Sequence, residues 1–235
     1  MSSSSPFFLD QILFIVLPYV ALVVFLVISI RRYRSDTFSF SSLSSQFLEN
    51  KQHFWGVVPF HYGIITVLSA HFIALLIPRT VILWNSNPMR LYVLEIGGLM
   101  FGLLTLVGLV SVVARRHRDA KMRMVTSKAD WVLFCIFFVQ VLTGVYTAIF
   151  NGWGTSWYAA AAAPYLWSLF TLNPDIGAIA AMPWTVKLHI VGAYSMVAFF
   201  PFTRLVHVLV VPNPYLWRKP QVVRWYAQWR TWRHA

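Results

Sequence analysis

Phe60-His61-Tyr62-Gly63-Ile64-Ile65-Thr66-Val67-Leu68-Ser69-Ala70-His71 is a strongly apolar stretch that carries two histidines. It has a counterpart late in the chain, from Leu188-His189-Ile190-Val191-Gly192 to Phe202-Thr203-Arg204-Leu205-Val206-His207. Ionisable side chains inside apolar runs of membrane length mark function, because hydrocarbon penalises them. A neutral imidazole is also a good axial ligand for haem iron. These two stretches therefore set both the fold to look for and the chemistry to test.

Working outward, the whole chain shares their character. Of 235 residues 58% are hydrophobic and 17% aromatic, and only 11% are charged, where a soluble domain carries about 25% charged residues. Mean hydropathy is +0.64. Five runs, near residues 8–30, 54–77, 91–114, 131–150 and 185–211, reach the length of about 20 residues that a helix needs to cross a bilayer. Lipid offers no partner to unpaired backbone groups, so the spans must be helices. The expected fold is an all-α, five-helix transmembrane bundle forming a single membrane domain over residues 1–235. The first run has no positive segment before it and is expected to be retained.

The net charge of +12 would suggest nucleic acid if it formed one face of a soluble domain. Here sixteen of the nineteen Lys and Arg residues fall after the first or third run, just before the second or fourth, or at the end of the fifth and beyond, leaving Arg79, Arg90 and Lys187 for the other side. Topology explains this and a nucleic-acid partner does not. The positive-inside rule puts the N-terminus outside and the C-terminus in the cytoplasm. Trp153, Trp157, Tyr158, Trp167 and Trp184, around an alanine-rich stretch ended by Pro164, suit the headgroup layer, and a short interfacial helix is expected there. The tail 212–235 alternates cations with aromatics; it reads as a lipid-surface anchor or as a docking tail for a cytoplasmic subunit.

Helix geometry limits what the histidines can do together. His61 and His71 lie about 15 Å apart in depth and about 80° apart around an ideal helix, while His189 and His207 share a face about 27 Å apart. Neither helix can offer both its histidines to one iron. The second and fifth runs are antiparallel, so His61 and His207 fall toward one side and His71 and His189 toward the other. Cross-helix pairs at two depths suit a bis-histidine relay with two haem b groups, although the unequal spacings require tilt. His53, His117 and His234 read as interfacial or solvated. Lone Cys135 excludes an intramolecular disulfide and a Cys-based metal site, and is expected to pack in the core. Gly63, Gly97, Gly98, Gly102, Gly108, Gly144 and Gly192 could make room for a macrocycle or simply for close helix packing. A haem-free transporter whose histidines line a polar path stays open at this point.

Phe60-His61-x-Gly63 with His71, Lys187-Leu188-His189, and Phe200-Pro201-Phe202-Thr203-Arg204-Leu205-Val206-His207 followed by Val211-Pro212 and Tyr215-Leu216 together resemble the gamma subunit of respiratory nitrate reductase. That family is a di-haem cytochrome b membrane anchor, and the likeness covers nearly the whole chain. The resemblance implies that His61 and His207 hold the inner haem iron, and His71 and His189 the outer one. It implies oxidation of membrane quinol near His71, and transfer of electrons to an iron–sulfur beta subunit and a molybdenum alpha subunit at the prokaryotic cytoplasmic membrane. The family's quinol-site lysine is absent: Asn87-Pro88-Met89-Arg90-Leu91 offers Arg90 instead, a poorer proton shuttle than an amine. Arg204, one turn before His207, is a candidate to pair with a haem propionate, or else an ordinary positive-inside anchor. Glu95 is a candidate for proton release, or else a partner of Arg90. The same relay serving another oxidoreductase, or running in reverse from nitrite oxidation, would look much alike.

Overall fold

The computed structural model describes residues 4–36, 39–40 and 51–210. The tail 212–235, with its predicted docking role, and most of the Ser/Phe-rich first loop lie outside the described residues. The described chain is helical. Helix α1 joins Ser4–Gln11, a π-helical turn Ile12–Val16, and Leu17–Ser35. There follow α2 (Lys51–Leu76), α3 (Pro78–Asn85), α4 (Pro88–Arg118), α5 (Ala120–Met124) and α6 (Lys128–Phe150). Helix α7 is continuous through Gly154–Trp157, a π turn Tyr158–Ala162, and Ala163–Phe170. Then come α8 (Gly177–Ala180) and α9 (Trp184–Phe199).

Among the described residues five segments are long and apolar enough to cross a membrane: Phe8–Ser35, Trp55–Leu76, Pro88–Arg118, Lys128–Phe150 and Trp184–Phe202. The shortest has 19 residues, about 28 Å at helical rise, close to the hydrocarbon thickness of about 30 Å. The chain is a multi-pass membrane protein. Local chemistry sets the span boundaries. Asn87 caps α4 by accepting from the Met89 N–H, and Pro88 occupies the first turn, where a missing N–H costs nothing. Ser127 and Asp130 form a reciprocal capping box at the start of α6.

The spans form an arc in the order α2, α4, α6, α9, α1, each packed on the next, with no comparable packing between α2 and α9. Glycines decide the closest joint. A Cβ on Gly63 would sit 2.7 Å from the Thr105 nitrogen and 2.8 Å from the Phe101 oxygen, and one on Gly108 2.7 Å from the Phe60 Cα. Helices α2 and α4 thus touch backbone to backbone, the contact that small residues permit. His61 lies about 160° around the helix from Gly63 and His71 about 80°, so gluing Gly63 to α4 leaves both imidazoles exposed.

Helix α7 bridges the two ends of the arc. Toward α2, Tyr158 Oη donates to the His71 carbonyl at 3.2 Å and Trp167 Nε1 to the Leu75 carbonyl at 2.9 Å. Toward α1, Tyr165 Oη donates to the Phe14 carbonyl at 2.8 Å, and Tyr19 Oη donates to the Leu169 carbonyl at 2.9 Å. One apolar cluster (Phe14, Ala162, Tyr165, Leu169, Ile176, Ile179) fills this end, and another (Leu109, Leu133, Phe137) fills the opposite, arginine-rich end.

The helix expected around the alanine-rich stretch forms, and Pro164 lies in the first turn of its last segment, where a π turn has already relaxed the ladder. Two expectations need correction. Cys135 is exposed on the bundle surface, not packed in the core. The fifth span is not an unbroken helix to residue 211. Phe200–Phe202 is a 3₁₀ turn, Thr203 is extended, and Arg204–Leu209 is a second 3₁₀ helix. Pro201 has no N–H to continue the α-ladder. The 27 Å spacing of His189 and His207 assumed one straight axis, and that premise fails.

Candidate functional site: four histidines at two levels

Each imidazole is oriented by the same device. His61 Nδ1 meets the Val57 carbonyl at 2.8 Å, His71 Nδ1 the Val67 carbonyl at 2.8 Å, and His207 Nδ1 the Arg204 carbonyl at 2.6 Å. His189 Nδ1 meets the Gln140 carbonyl at 3.0 Å and Thr143 Oγ1 at 3.1 Å. The Thr143 hydroxyl proton goes to the Val139 carbonyl at 2.7 Å, shared with that of Gln140, so its oxygen accepts from His189. A carbonyl can only accept, so Nδ1 carries the proton in all four rings. In the neutral ring Nε2 is then the lone-pair nitrogen that a metal requires, with the carbonyl as the partner that fixes tautomer and ring direction; that of His189 accepts from the Gln140 amide.

The rings are distributed over the two ends of the bundle. At the α7 end, Ile190 and Val191 beside His189 pack on the Phe14 cluster together with Tyr158 of α7. The His71 ring stands edge-on to Tyr158, 5.1 Å between centroids. Burial pushes the Tyr158 phenol up to about 12, so it remains a donor to His71. His189 lies against Gly144, where a Cβ would come within 3.0 Å of its Cε1, and Gln140 Nε2 sits 3.3 Å from its Nε2. At the arginine-rich end, Phe60 beside His61 and Leu205 beside His207 both pack on the Leu109–Leu133–Phe137 cluster. No cluster of three or more His, Cys, Asp or Glu side chains forms among the described residues. This donor set offers single imidazoles from two helices, which suits a planar group gripped from both sides.

Arg204, Arg90 and Glu95 have partners other than those expected. Arg204 grips Asp130 with Nε on Oδ1 at 2.7 Å and Nη2 on Oδ2 at 2.5 Å, so a carboxylate of the chain stands where a propionate was expected. Arg90 stacks over the Trp84 ring at 5.0 Å. Glu95 is not paired with Arg90: it accepts from the Gly154 and Thr155 N–H groups at 3.1 and 2.8 Å and from Thr155 Oγ1 at 2.7 Å. A carboxylate at a helix N-terminus satisfies orphan donors and the helix dipole together. Glu95 therefore fastens α7 rather than waiting for a proton. Glu95→Ala is expected to cost about 1–2 kcal/mol, as loss of a capping residue does, read as a lower unfolding temperature of the purified protein. An unchanged temperature would remove the anchoring role.

Sequence reasoning missed Asp130, Gln140 and Thr143. Ser127-Lys128-Ala129-Asp130 carries a capping-box spacing that was legible. For Gln140 and Thr143 the signal was a polar pair inside an apolar span, separated by three residues and so on one face.

With this geometry in view, comparison with known proteins is informative. The family profile described as "Nitrate reductase gamma subunit" matches residues 10–226. The nitrate reductase gamma chain of Bacillus subtilis (strain 168) is 32% identical over 217 residues, covering 91% of this chain and 97% of that protein. The respiratory nitrate reductase 1 gamma chain of Escherichia coli (strain K12) is 29% identical over 224 residues, 92% of this chain and 98% of that protein. A shorter likeness, 27% over 119 residues, 51% of this chain and 39% of the other, joins it to a component of the dihydromethanophenazine:CoB–CoM heterodisulfide reductase of Methanosarcina barkeri (strain Fusaro / DSM 804).

Proposed function

The chain belongs to the nitrate reductase gamma subunit family, and from that premise we propose that it is a di-haem cytochrome b subunit of such a complex. In this reading it oxidises membrane quinol and delivers electrons to an iron–sulfur and a molybdenum subunit on the cytoplasmic side. The observation that carries it is the shared state of four imidazoles. Each holds its Nδ1 on a main-chain carbonyl, which leaves Nε2 as the ligating nitrogen of the neutral ring, two rings at each end of the bundle.

These residues fit two haem b groups: His71 and His189 at the α7 end, His61 and His207 at the arginine-rich end. When bound, haem supplies reversible one-electron chemistry at a potential tuned by its axial ligands and their hydrogen bonds. The chain's own residues do the rest. The Nδ1–carbonyl bonds select the tautomer and keep the rings aimed. Gly144 lets the His189 ring lie against α6, and Tyr158 ties the carbonyl of His71 to α7. Helix α7 bridges α2 and α1 at that end, and quinol would give up its electrons beside His71. Positive-inside placement puts that end outside and the arginine-rich end in the cytoplasm, which directs electrons toward a cytoplasmic partner.

Reduced-minus-oxidised spectra of the purified protein test this directly. A sharp alpha band of bis-histidine haem b is expected, with nitrate reduced by quinol analogues when the partner subunits co-purify. A chain without that band would instead be a haem-free membrane anchor. A second reading keeps the relay and changes the partner, so that electrons pass to another oxidoreductase or flow in reverse from nitrite. The likeness to a heterodisulfide reductase component and the stacking of Arg90 on Trp84 favour keeping it. Co-purifying subunits decide between the two.

A further inference from the structure

Of the four histidines, His207 alone lies outside a spanning α-helix. It sits in the 3₁₀ helix Arg204–Leu209, beyond the extended residue Thr203, and 3₁₀ ladders are short and poorly bonded. Something else must fix its place. Two side chains from different helices grip this segment, Arg32 of α1 and Asp130 of α6. Arg32, from the end of α1, donates through Nη1 to the Pro201 carbonyl at 2.6 Å and to the Thr203 carbonyl at 3.0 Å. Its Nε and Nη2 donate to Ser39 Oγ at 2.9 Å and the Ser39 carbonyl at 2.8 Å. The guanidinium is spread over main-chain oxygens where the helix has broken, a use that its planar fork allows and an ammonium does not.

The second grip runs through Asp130. That carboxylate is fixed by the α6 capping box, accepting the Ser127 N–H at 2.9 Å while Ser127 Oγ accepts the Asp130 N–H at 3.1 Å. It holds Arg204 bidentately, with side-chain exposures of 13% for the arginine and 5% for the aspartate. The Arg204 carbonyl in turn accepts from His207 Nδ1 at 2.6 Å. Ordinary positive-inside arginines sit in solvent or headgroups. This one is buried with a carboxylate from a different span, and a pair this enclosed is costly to leave half-made.

We propose that Asp130 and Arg32 are positioning residues for His207, setting the depth and ring direction of its Nε2 at the arginine-rich end. The proposal rests on reading His207 as an axial ligand. It goes further by tying the geometry of one site to a cap on α6 and a clamp from α1. Perturbing either residue should then mark one haem and spare the other, whose ligands His71 and His189 share none of these contacts.

The test is electron paramagnetic resonance of the oxidised, purified complex, in which each bis-histidine haem gives its own low-spin signal. In Asp130→Asn and, separately, in Arg32→Lys, one signal is expected to shift or to fall roughly tenfold or more relative to the other, the scale seen when supporting shells of metal sites are altered. Asp130→Glu should recover most of it. Two signals unchanged in both variants would overturn the proposal. So would equal loss of both signals in both variants, since that is what a merely structural pair would give. A wild-type complex with no haem signal would overturn the haem reading itself, before any variant is made.

Discussion

His189→Ala and His71→Ala are each expected to abolish the haem of the α7 end and, with it, quinol oxidation, while the other haem remains. Each change removes one Nε2 and leaves the opposite imidazole alone, and a single axial nitrogen does not hold low-spin haem b. The surrounding shell survives. Thr143 keeps its bond to the Val139 carbonyl, and Gly144, against which the His189 ring packs, gains space rather than a clash. Tyr158 donates to the main-chain oxygen of His71, not its ring, so that contact outlasts the substitution. The effect should therefore be local. Haem content and alpha-band spectra of the purified variants read it, alongside quinol-dependent turnover. Retention of both haems in either variant would end the assignment of that pair.

Replacing Gly63 or Gly108 by leucine should be as damaging, for a different reason. A bare Cβ at Gly63 already comes within 2.8 Å of main-chain atoms of α4, and one at Gly108 within 2.7 Å of the Phe60 Cα. The neighbours are backbone and cannot swing aside. Alanine at either position should cost about 1–3 kcal/mol, as overpacking does. Leucine should separate α2 from α4 and carry His61 and His71 out of register, so that neither haem is retained. Gly97→Ala is the matched control. Beyond its own turns of helix nothing lies within 4 Å of a Cβ placed there, and exchange of glycine for alanine in a helix gains up to about 1 kcal/mol. Thermal unfolding in detergent and haem content separate the cases. Equal behaviour of the Gly63 and Gly97 alanine variants would show that the close α2–α4 contact does not matter.

The division between what was legible and what was not follows the range of the forces involved. Five spans could be read from composition and run length because a bilayer leaves the backbone no alternative to a helix. The positions of His61, His71 and His189 along their spans followed from a rise of about 1.5 Å per residue. Capping by Asn87 and by the Ser127–Asp130 box is likewise written within four residues.

Partner choice is not local. Arg204 and Asp130 are 74 residues apart, and Glu95 and Thr155 are 60 apart. Which carboxylate meets which cation depends on the arc of helices, and the sequence, lacking that arc, offered Arg204 to a propionate and Glu95 to Arg90. Seven glycines looked alike in sequence, yet packing makes Gly63 and Gly108 indispensable to one joint and leaves Gly97 in open space. Hydropathy likewise ran past Thr203, where the chain leaves the helix. From residues alone come a membrane bundle and the order of its histidines, because lipid and helix pitch act on each segment separately. Only the packed bundle decides how each imidazole is held, because those bonds join segments far apart in the chain.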